Sequence, residues 1–321
     1  MIHHNIDADT AKGLKFLRQR IVKSKVPSSK LDETISIATW NIREFGKIPR
    51  EESSIHYIAE ILSQFDLIAI TELRDNLGDL RRTMDLLGSN WDVIYSDFIP
   101  DHAGNKERMA YVFDKRAVQF TGLAAELDPK RVRTSDGRRI RDNDWWRSPY
   151  MLSFSAGSFD FVMISAHIRW GSSTKARLKP LEMLADWIIE RRESEFAVDK
   201  DVILLGDFNI TSRRSSLFKA ITSRGLRLPN ALSKNKLRGT NLSQKNLYDQ
   251  ILHYPTDGKR FTENAGIVPF YESDADIAKY FPNESMSKHE FTYQLSDHLP
   301  LWAQINVNLA DDKLEQIISG G

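Results

Sequence analysis

Short runs of β-branched and aliphatic residues alternate with amphipathic stretches through the first part of the chain. The run at 35–41 precedes apolar residues at helical spacing over 55–62, and a second run at 66–72 precedes another helical stretch over 77–87. Periods of two and of 3.6 residues distinguish strands from helices. This order of strand, helix, strand and helix predicts a layered α/β domain.

The rest of the chain carries more strands than helices. Strand-like segments at 91–95, 108–113 and 117–125 follow one another with no helical stretch between them. This succession favours two sheets packed face to face, with helices outside, over a doubly wound parallel sheet. Further strands are predicted at 159–167, 202–207, 246–252 and 301–307, and helices over 174–192 and through 217–221.

Polar side chains stand at or just beyond several of these strand ends. Asp207 and Asn209 follow the apolar run 202–205 one residue apart, so we expect both side chains to leave the strand end on the same side. Carboxylate and amide oxygens suit Mg²⁺ or Mn²⁺. Taken alone, this pattern is more often a capped turn than a metal site. The other polar residues at strand ends favour a functional site, and they are Asn41, Glu72, His167, Asp297 and His298.

Composition excludes several classes of site and partner. The 321 residues can bury a large core, and 45 basic against 44 acidic residues give a net charge of +1, so a nucleic-acid surface must be local. The absence of cysteine excludes disulfides, thiolate metal sites and thiol nucleophiles. We see no signal peptide and no apolar stretch of membrane-spanning length, and therefore expect a cytoplasmic protein without a membrane partner.

Two segments are unusually basic. Residues 128–148 carry seven lysines and arginines together with Trp145 and Trp146. We favour contact with a phosphate backbone and stacked bases over a solvated hairpin neutralised by acids. The other basic segment lies at the N-terminus, and the expected division of the chain is a basic helical extension at 1–33, one main domain at 34–308 and a C-terminal tail at 309–321.

Five segments carry a family resemblance. They read Trp-Asn-Ile-Arg-Glu-Phe-Gly at 40–46, Thr-Glu-Leu-Arg-Asp at 71–75, Ser-Ala-His at 165–167, Gly-Asp-Phe-Asn at 206–209 and Ser-Asp-His-Leu-Pro at 296–300. In this order they resemble the endonuclease/exonuclease/phosphatase superfamily, over residues 35–307, and within it the deoxyribonuclease I branch. The resemblance implies a four-layered α/β sandwich, in which two packed and mostly antiparallel β-sheets are flanked by helices. It also implies a metal-dependent phosphodiesterase.

The resemblance implies two histidine–carboxylate pairs for proton transfer. His298 would pair with Asp249, and His167 with Glu107, which lies in the segment Lys106-Glu107-Arg108. One pair would activate water and the other would serve the leaving oxygen, and which histidine is acid and which is base stays open.

The resemblance also implies metal and phosphate ligands. Asp207 and Asn209 would orient the phosphate or the water. Mg²⁺ or Mn²⁺ would be held by Glu72 with help from Asn41, Asp207 or Asp297. The phosphate or DNA backbone would be bound by Arg43, Arg74 and Arg147.

Three functions are compatible with these residues. We favour a deoxyribonuclease I-like DNA endonuclease, with DNA as its partner and no obligate protein partner. The alternative is a phosphatase or phosphodiesterase of the same fold that acts on inositol phosphates, sphingolipids or nucleotides, because a fold does not fix its substrate. A catalytically silent binding scaffold is the third, and the presence of every acid and histidine that the mechanism needs argues against it.

Overall fold

The computed structural model describes most of the chain, namely residues 3–28, 30–98, 106–141, 145–171, 173–234, 239–254 and 260–308, with Leu314 and Ile318. The strands are β1 (Thr34–Phe45), β2 (Leu67–Leu73), β3 (Trp91–Tyr95), β4 (Arg108–Asp114), β5 (Gln119–Glu126), β6 (Arg131–Arg133), β7 (Arg139–Arg141), β8 (Tyr150–Ala156), β9 (Phe159–His167), β10 (Val202–Asp207), β11 (Asp249–His253), β12 (Phe261–Ile267) and β13 (Leu301–Asn306). The helices are α1 (Ala8–Ser24), α2 (Glu52–Leu62), α3 (Gly78–Leu87), α4 (Thr174–Glu193), α5 (Ser216–Ile221), α6 (Asn230–Lys234), α7 (Ile277–Tyr280) and α8 (Lys288–Gln294).

The strands form two mixed sheets and a separate hairpin. The first sheet has the order β12-β13-β1-β2-β4-β3 and the second the order β11-β10-β9-β8-β5, while β6 pairs with β7. Each large sheet has one parallel pair, β1 with β2 and β9 with β10, and its other neighbouring strands run antiparallel. The predicted mostly antiparallel arrangement is confirmed.

Three hydrophobic cores define four layers. Successive side chains of β1 point to opposite faces, so Ile37 packs between the two sheets, whereas Trp40 packs under α1, α2, α3, α7 and α8. On the second sheet, Leu205 faces the other sheet and Leu204 faces α4 and α5. Because both faces of each sheet are covered, the central strands read as nearly continuous apolar runs. The four-layered α/β sandwich is therefore confirmed.

The predicted N-terminal basic helix forms and packs against the main domain. In α1, Leu14, Leu17 and Ile21 join the core that covers the first sheet. Arg20 is also buried, and its Nη2 atom donates to Asp276 Oδ1 at 2.8 Å. The helix is thus held by apolar contacts and by a buried ion pair. No helix among the described residues is both long and apolar enough to cross a membrane.

Several helices and strands were not predicted from the sequence. The region 226–290, expected to be loop-rich, contains α6, β12, α7 and the start of α8, and β8 was not singled out. The predicted strand at 246–252 begins later, at Asp249. Of the predicted tail, only Leu314 and Ile318 lie within the described residues. The division of the chain at 33 and 308 stays a prediction.

Candidate active site

The predicted site residues meet where the carboxyl ends of four central strands converge. The parallel registers set Asn41 of β1 beside Thr71 of β2, and Asp207 of β10 beside His167 of β9. A hydrogen bond then joins the two sheets, because Asn41 Nδ2 donates to Asp207 Oδ2 at 3.1 Å. Residues that are far apart in sequence thus share one edge of the sandwich.

Asp207 is the centre of this arrangement. Its Oδ2 atom lies 3.6 Å from His167 Nε2 and 3.8 Å from His298 Nε2. The three residues are only 2%, 5% and 7% exposed, respectively. Both imidazoles therefore direct the nitrogen that is free of a closer partner toward the same carboxylate oxygen.

His167 is held by a buried carboxylate, as the resemblance implied. Its Nδ1 atom lies 2.5 Å from Glu107 Oε1, and Arg147 Nε lies 2.6 Å from Glu107 Oε2. Burial lowers the pKa of His167, but the charge and hydrogen bond of Glu107 and the charge of Asp207 together outweigh burial, so the pKa lies above its ordinary value of 6.5. Burial likewise raises the pKa of Glu107, but His167 and Arg147 bring it below its ordinary value.

His298 has the same kind of partner. Its Nδ1 atom lies 2.8 Å from Asp249 Oδ2. Burial lowers the pKa of His298, but the charges of Asp249 and Asp207 raise it well above its ordinary value. The backbone of His298 is fixed as well, because its N–H donates to Ser296 Oγ at 3.0 Å and its carbonyl accepts from Trp40 Nε1 at 2.9 Å.

Glu72 and Asn41 form an oxygen-rich corner beside Asp207. Asn41 Nδ2 donates to Glu72 Oε1 at 2.9 Å, and the N–H of Glu44 donates to Glu72 Oε2 at 2.9 Å. Asn41 Oδ1 is buried and has no hydrogen-bond partner among the described residues. Carboxylate and amide oxygens with one acceptor left unpaired fit a hard divalent cation.

A second group of possible ligands overlaps the proton-transfer pairs. In the described part of the chain, ligand atoms of Asp207, Asp249 and His298 lie within 4.8 Å of one another. Asp249 and His298 are hydrogen bonded to each other and form a pair, so the oxygen corner is a separate group of possible ligands. Asp297 is outside this group; it is half-buried, and its charge contributes to the raised pKa of His298.

The turn after β10 differs from the expected geometry. The strand ends at Asp207, and Asn209 has φ +52°, so strand alternation does not extend to Asn209 and the argument that placed both side chains on one side is wrong. Instead, the N–H of Asn209 donates to Asp207 Oδ1 at 2.8 Å, and its Nδ2 donates to the carbonyl of Ile168 at 2.7 Å. Asn209 thereby ties the ends of β9 and β10 together.

All three predicted phosphate-binding arginines have protein partners. Arg147 is engaged with Glu107, and Arg74 Nη1 lies 3.9 Å from Glu44 Oε1. Arg43 lies 4.1 Å from the ring centroid of Tyr293 and also donates to the Thr292 hydroxyl. The structure brings Arg147 into the His167 pair, whereas Arg43 lies on β1 two residues after Asn41 and Arg74 directly follows the end of β2.

The basic segment 128–148 is only partly placed as expected. It contains the β6–β7 hairpin, and residues 142–144 lie outside the described ones. Trp145 is buried, and its Nε1 donates to the carbonyl of Pro180 at 3.1 Å, so this indole is a core residue and the predicted base contact is wrong for it. Besides Arg147, three cations of the segment have acidic partners: Lys130 with Glu190, Arg131 with Asp128 and Arg138 with Asp136.

The sequence analysis missed one cation at the site. Arg177, in the first turn of α4, is buried and donates from Nη1 to the carbonyl of Asn209 at 2.8 Å. Its only sequence signal is its place one helical turn after the loop that follows His167. Nothing in its spacing distinguishes it from the other cations of that helix.

The chain has relatives in sequence and likenesses in fold among known proteins. Deoxyribonuclease-1 of Bos taurus is 26% identical over 204 residues, which cover 59% of this chain and 67% of the bovine protein. The mannosyl-6-phosphatase Bt3783 of Bacteroides thetaiotaomicron superposes with a TM-score of 0.56 at 17% identity, over 84% of this chain and 99% of the other. The human Nocturnin catalytic domain gives a TM-score of 0.54 at 14% identity, over 87% and 96%.

A family model matches nearly the whole region that builds the site. The model described as "Endonuclease/Exonuclease/phosphatase family" aligns with residues 38–298, from within β1 to the second histidine. This span contains all the predicted site residues, and the resemblance drawn from the five segments is confirmed. The chain belongs to the endonuclease/exonuclease/phosphatase family.

Proposed function

We propose that the protein is a divalent-metal-dependent phosphodiesterase that cleaves DNA internally, in the manner of deoxyribonuclease I. The observation that carries the proposal is the convergence of two histidine–carboxylate pairs on Asp207, at 3.6 and 3.8 Å. Two imidazoles held by separate carboxylates on one oxygen fit a reaction that needs a base for water and an acid for the leaving oxygen.

Each pair has what proton transfer requires. Glu107 and Asp249 occupy the Nδ1 sides of His167 and His298, which fixes each ring and leaves each Nε2 directed at the site. A buried carboxylate also stabilises the imidazolium that forms when the ring accepts a proton. One histidine takes the proton from water and the other delivers a proton to the departing 3′ oxygen.

Mg²⁺ or Mn²⁺ fits the corner formed by Glu72, Asn41 and Asp207. The unpaired Asn41 Oδ1 and the carboxylate of Glu72 are the donors that such an ion prefers. When bound, the ion would polarise a phosphoryl oxygen and offset the charge that develops on it. Asp207 and Asn209 would orient the phosphate or the attacking water, and their hydrogen bonds hold the ends of β9 and β10 together.

DNA is the substrate class that the relatives and the cations favour. The sequence relative with 26% identity is a deoxyribonuclease, whereas the phosphatase likeness is one of fold alone. Arg43 and Arg74 lie beside the oxygen corner, where guanidinium groups can position phosphates. The exposed cations of the β6–β7 hairpin, Arg133 and Arg139, would extend this contact along the backbone.

The test is the nicking of supercoiled plasmid by the purified protein in Mg²⁺ or Mn²⁺. We expect nicking that EDTA abolishes and that the His167→Ala protein loses by about 10²–10⁴-fold. The matched control is His4→Ala, which removes an exposed histidine at the N-terminus. It should nick at the wild-type rate.

Two results would change the assignment. Hydrolysis of small phosphate esters, inositol phosphates or sphingolipids without any cleavage of DNA would mean that the protein is the alternative phosphatase or phosphodiesterase and not a nuclease. Cleavage of DNA that is equal in the His167→Ala protein and the wild type would exclude the site itself.

A further inference from the structure

An exposed tryptophan stands next to the proposed site and has no part in the mechanism above. Trp170 follows β9, three residues after His167, and is 59% exposed. Single exposed apolar side chains are common on protein surfaces and need no explanation by themselves. What distinguishes Trp170 is the set of contacts that holds its ring.

Two side chains of the site fix the indole. The ring of Tyr248 meets it edge to face, with 5.5 Å between ring centroids. The guanidinium carbon of Arg177 lies 5.6 Å from the indole centroid, within the range of a cation–π contact. Arg177 is itself buried and bound to the carbonyl of Asn209, and its Nε has no hydrogen-bond partner in the described part of the chain. The indole is therefore rigidly placed although it is exposed.

The same contacts connect the indole to the proton-transfer machinery. Tyr248 directly precedes Asp249, and its ring centroid lies 5.6 Å from that of His298. One aromatic ring thus separates the exposed indole from the imidazole. A nucleotide whose phosphate lies at His298 would have its sugar and base beside Trp170.

We propose that Trp170 is a base-stacking subsite, in which the nucleobase next to the scissile phosphate lies on the exposed indole face. A rigid, exposed aromatic ring beside cations is the device by which proteins hold single strands, because every base offers a π face. A base inside an intact duplex has both faces covered by its neighbours. The subsite therefore favours unpaired bases, and the proposal rests on the proposed DNA cleavage because the stacked base belongs to the substrate strand.

The test compares cleavage of a single-stranded oligonucleotide by the wild type, Trp170→Ala and Trp170→Phe proteins. Loss of the indole should lower kcat/KM by roughly 5- to 100-fold, the range that stacking of one base contributes. Phenylalanine keeps a stacking face and should stay within about threefold of the wild type. The control is Phe196→Ala, which likewise removes an exposed aromatic ring. Phe196 is 86% exposed and precedes the start of β10, at the end of the strand opposite Asp207, so this variant should have no effect.

A second substrate separates stacking from a merely structural role. Abasic residues are placed at one position after another in the same oligonucleotide. We expect one position at which the abasic residue lowers kcat/KM of the wild type by the same factor as Trp170→Ala lowers it on the intact strand. The Trp170→Ala protein should lose nothing further there, because the contact is already absent.

The outcomes distinguish this proposal from the proposed function. If Trp170→Ala cleaves the intact oligonucleotide as fast as the wild type, if no abasic position slows the wild type, or if the position that slows the wild type slows Trp170→Ala by the same further factor, the subsite is wrong while DNA cleavage stands. If the wild type cleaves no DNA at all, the proposed function fails and the subsite fails with it.

Discussion

The substitution Glu107→Gln keeps the size of a buried side chain and removes only its charge. In the wild type, Glu107 Oε1 accepts from the N–H of Glu72 at 3.1 Å and lies 2.5 Å from His167 Nδ1, while Oε2 lies 2.6 Å from Arg147 Nε. A carboxylate accepts on every side, but an amide has one donor end. Whichever way the glutamine turns, its NH₂ group faces another donor, or His167 must change tautomer.

The size of the effect follows from the pair that is broken. The charge and hydrogen bond of Glu107 contribute to the raised pKa of His167, and the variant loses the contribution of the charge. The carboxylate favours the protonated ring, so its removal moves the pKa of His167 downward. Because positioned proton transfer is worth about 10²–10⁴ in rate, we expect kcat/KM to fall by that factor.

The assay is the pH profile of kcat/KM on an oligonucleotide, measured with saturating Mg²⁺. The limb that His167 controls should move to lower pH in the Glu107→Gln protein. Movement of the acidic limb identifies His167 as the base, since the neutral ring is then the active form, and movement of the alkaline limb identifies it as the acid.

The chain offers a matched control in Glu60→Gln. Glu60 is likewise buried and pairs with a histidine and an arginine, at 2.9 Å from His3 Nε2 and 2.7 Å from Arg18 Nε, but it lies on α2 away from the site. This variant should keep kcat/KM and its pH profile. Our reasoning about the pair is refuted if Glu107→Gln retains activity within about threefold with both limbs in place.

Further predictions concern the fold and the metal. Gly206→Ala would set a Cβ 2.0 Å from a backbone carbonyl oxygen at φ +131°, and we expect the free energy of unfolding in urea to fall by more than about 3 kcal/mol. The control Gly122→Ala, at φ +107° with no atom within 4 Å of the new Cβ, should lower it by only about 1–2 kcal/mol. Equal losses in the two variants would contradict the steric argument. Asp276→Asn leaves the buried Arg20 with Glu272, a more exposed partner, and should lower the free energy of unfolding by about 3 kcal/mol in the same assay. A loss below about 1 kcal/mol would mean that water solvates the Arg20–Asp276 pair. Mg²⁺ at 100 times its Kd should stabilise the wild type by about 2.7 kcal/mol in thermal melts, and an equal shift for Glu72→Gln would exclude Glu72 as a ligand.

The strand ends could be predicted because the central strands have a strong pattern. β2 and β10 are covered on both faces, so their apolar runs continue to Ile70 and Leu205, and the polar residues that begin the site, Glu72 and Asp207, follow two residues later. Periodicity along one chain contains no information about which strand ends meet across two sheets. The pairing of His167 with Glu107 therefore came from the family resemblance and not from spacing.

Other features depend on tertiary context that the local sequence does not encode. β12 includes the polar residues Thr262, Glu263 and Asn264, and it is a strand because it pairs with β13 at the edge of the first sheet. The indole of Trp145 is buried under α4 although it lies in the basic segment 128–148, so composition alone placed it wrongly on a binding surface. In both cases packing overrides the local pattern.

The site itself is where local rules of backbone structure are broken. Glu72 and Asn209 have φ values of +64° and +52°, in a region that residues with a Cβ rarely adopt, and Gly206, which directly precedes Asp207, has φ +131°. Each departure is offset by contacts within the site, such as the N–H of Asn209 on Asp207 Oδ1. A regular strand end would point these side chains along the alternation of the sheet. The left-handed turns instead direct the oxygen atoms of β2 and β10 toward one another, so the strain lies in the residues that we assign to metal and phosphate.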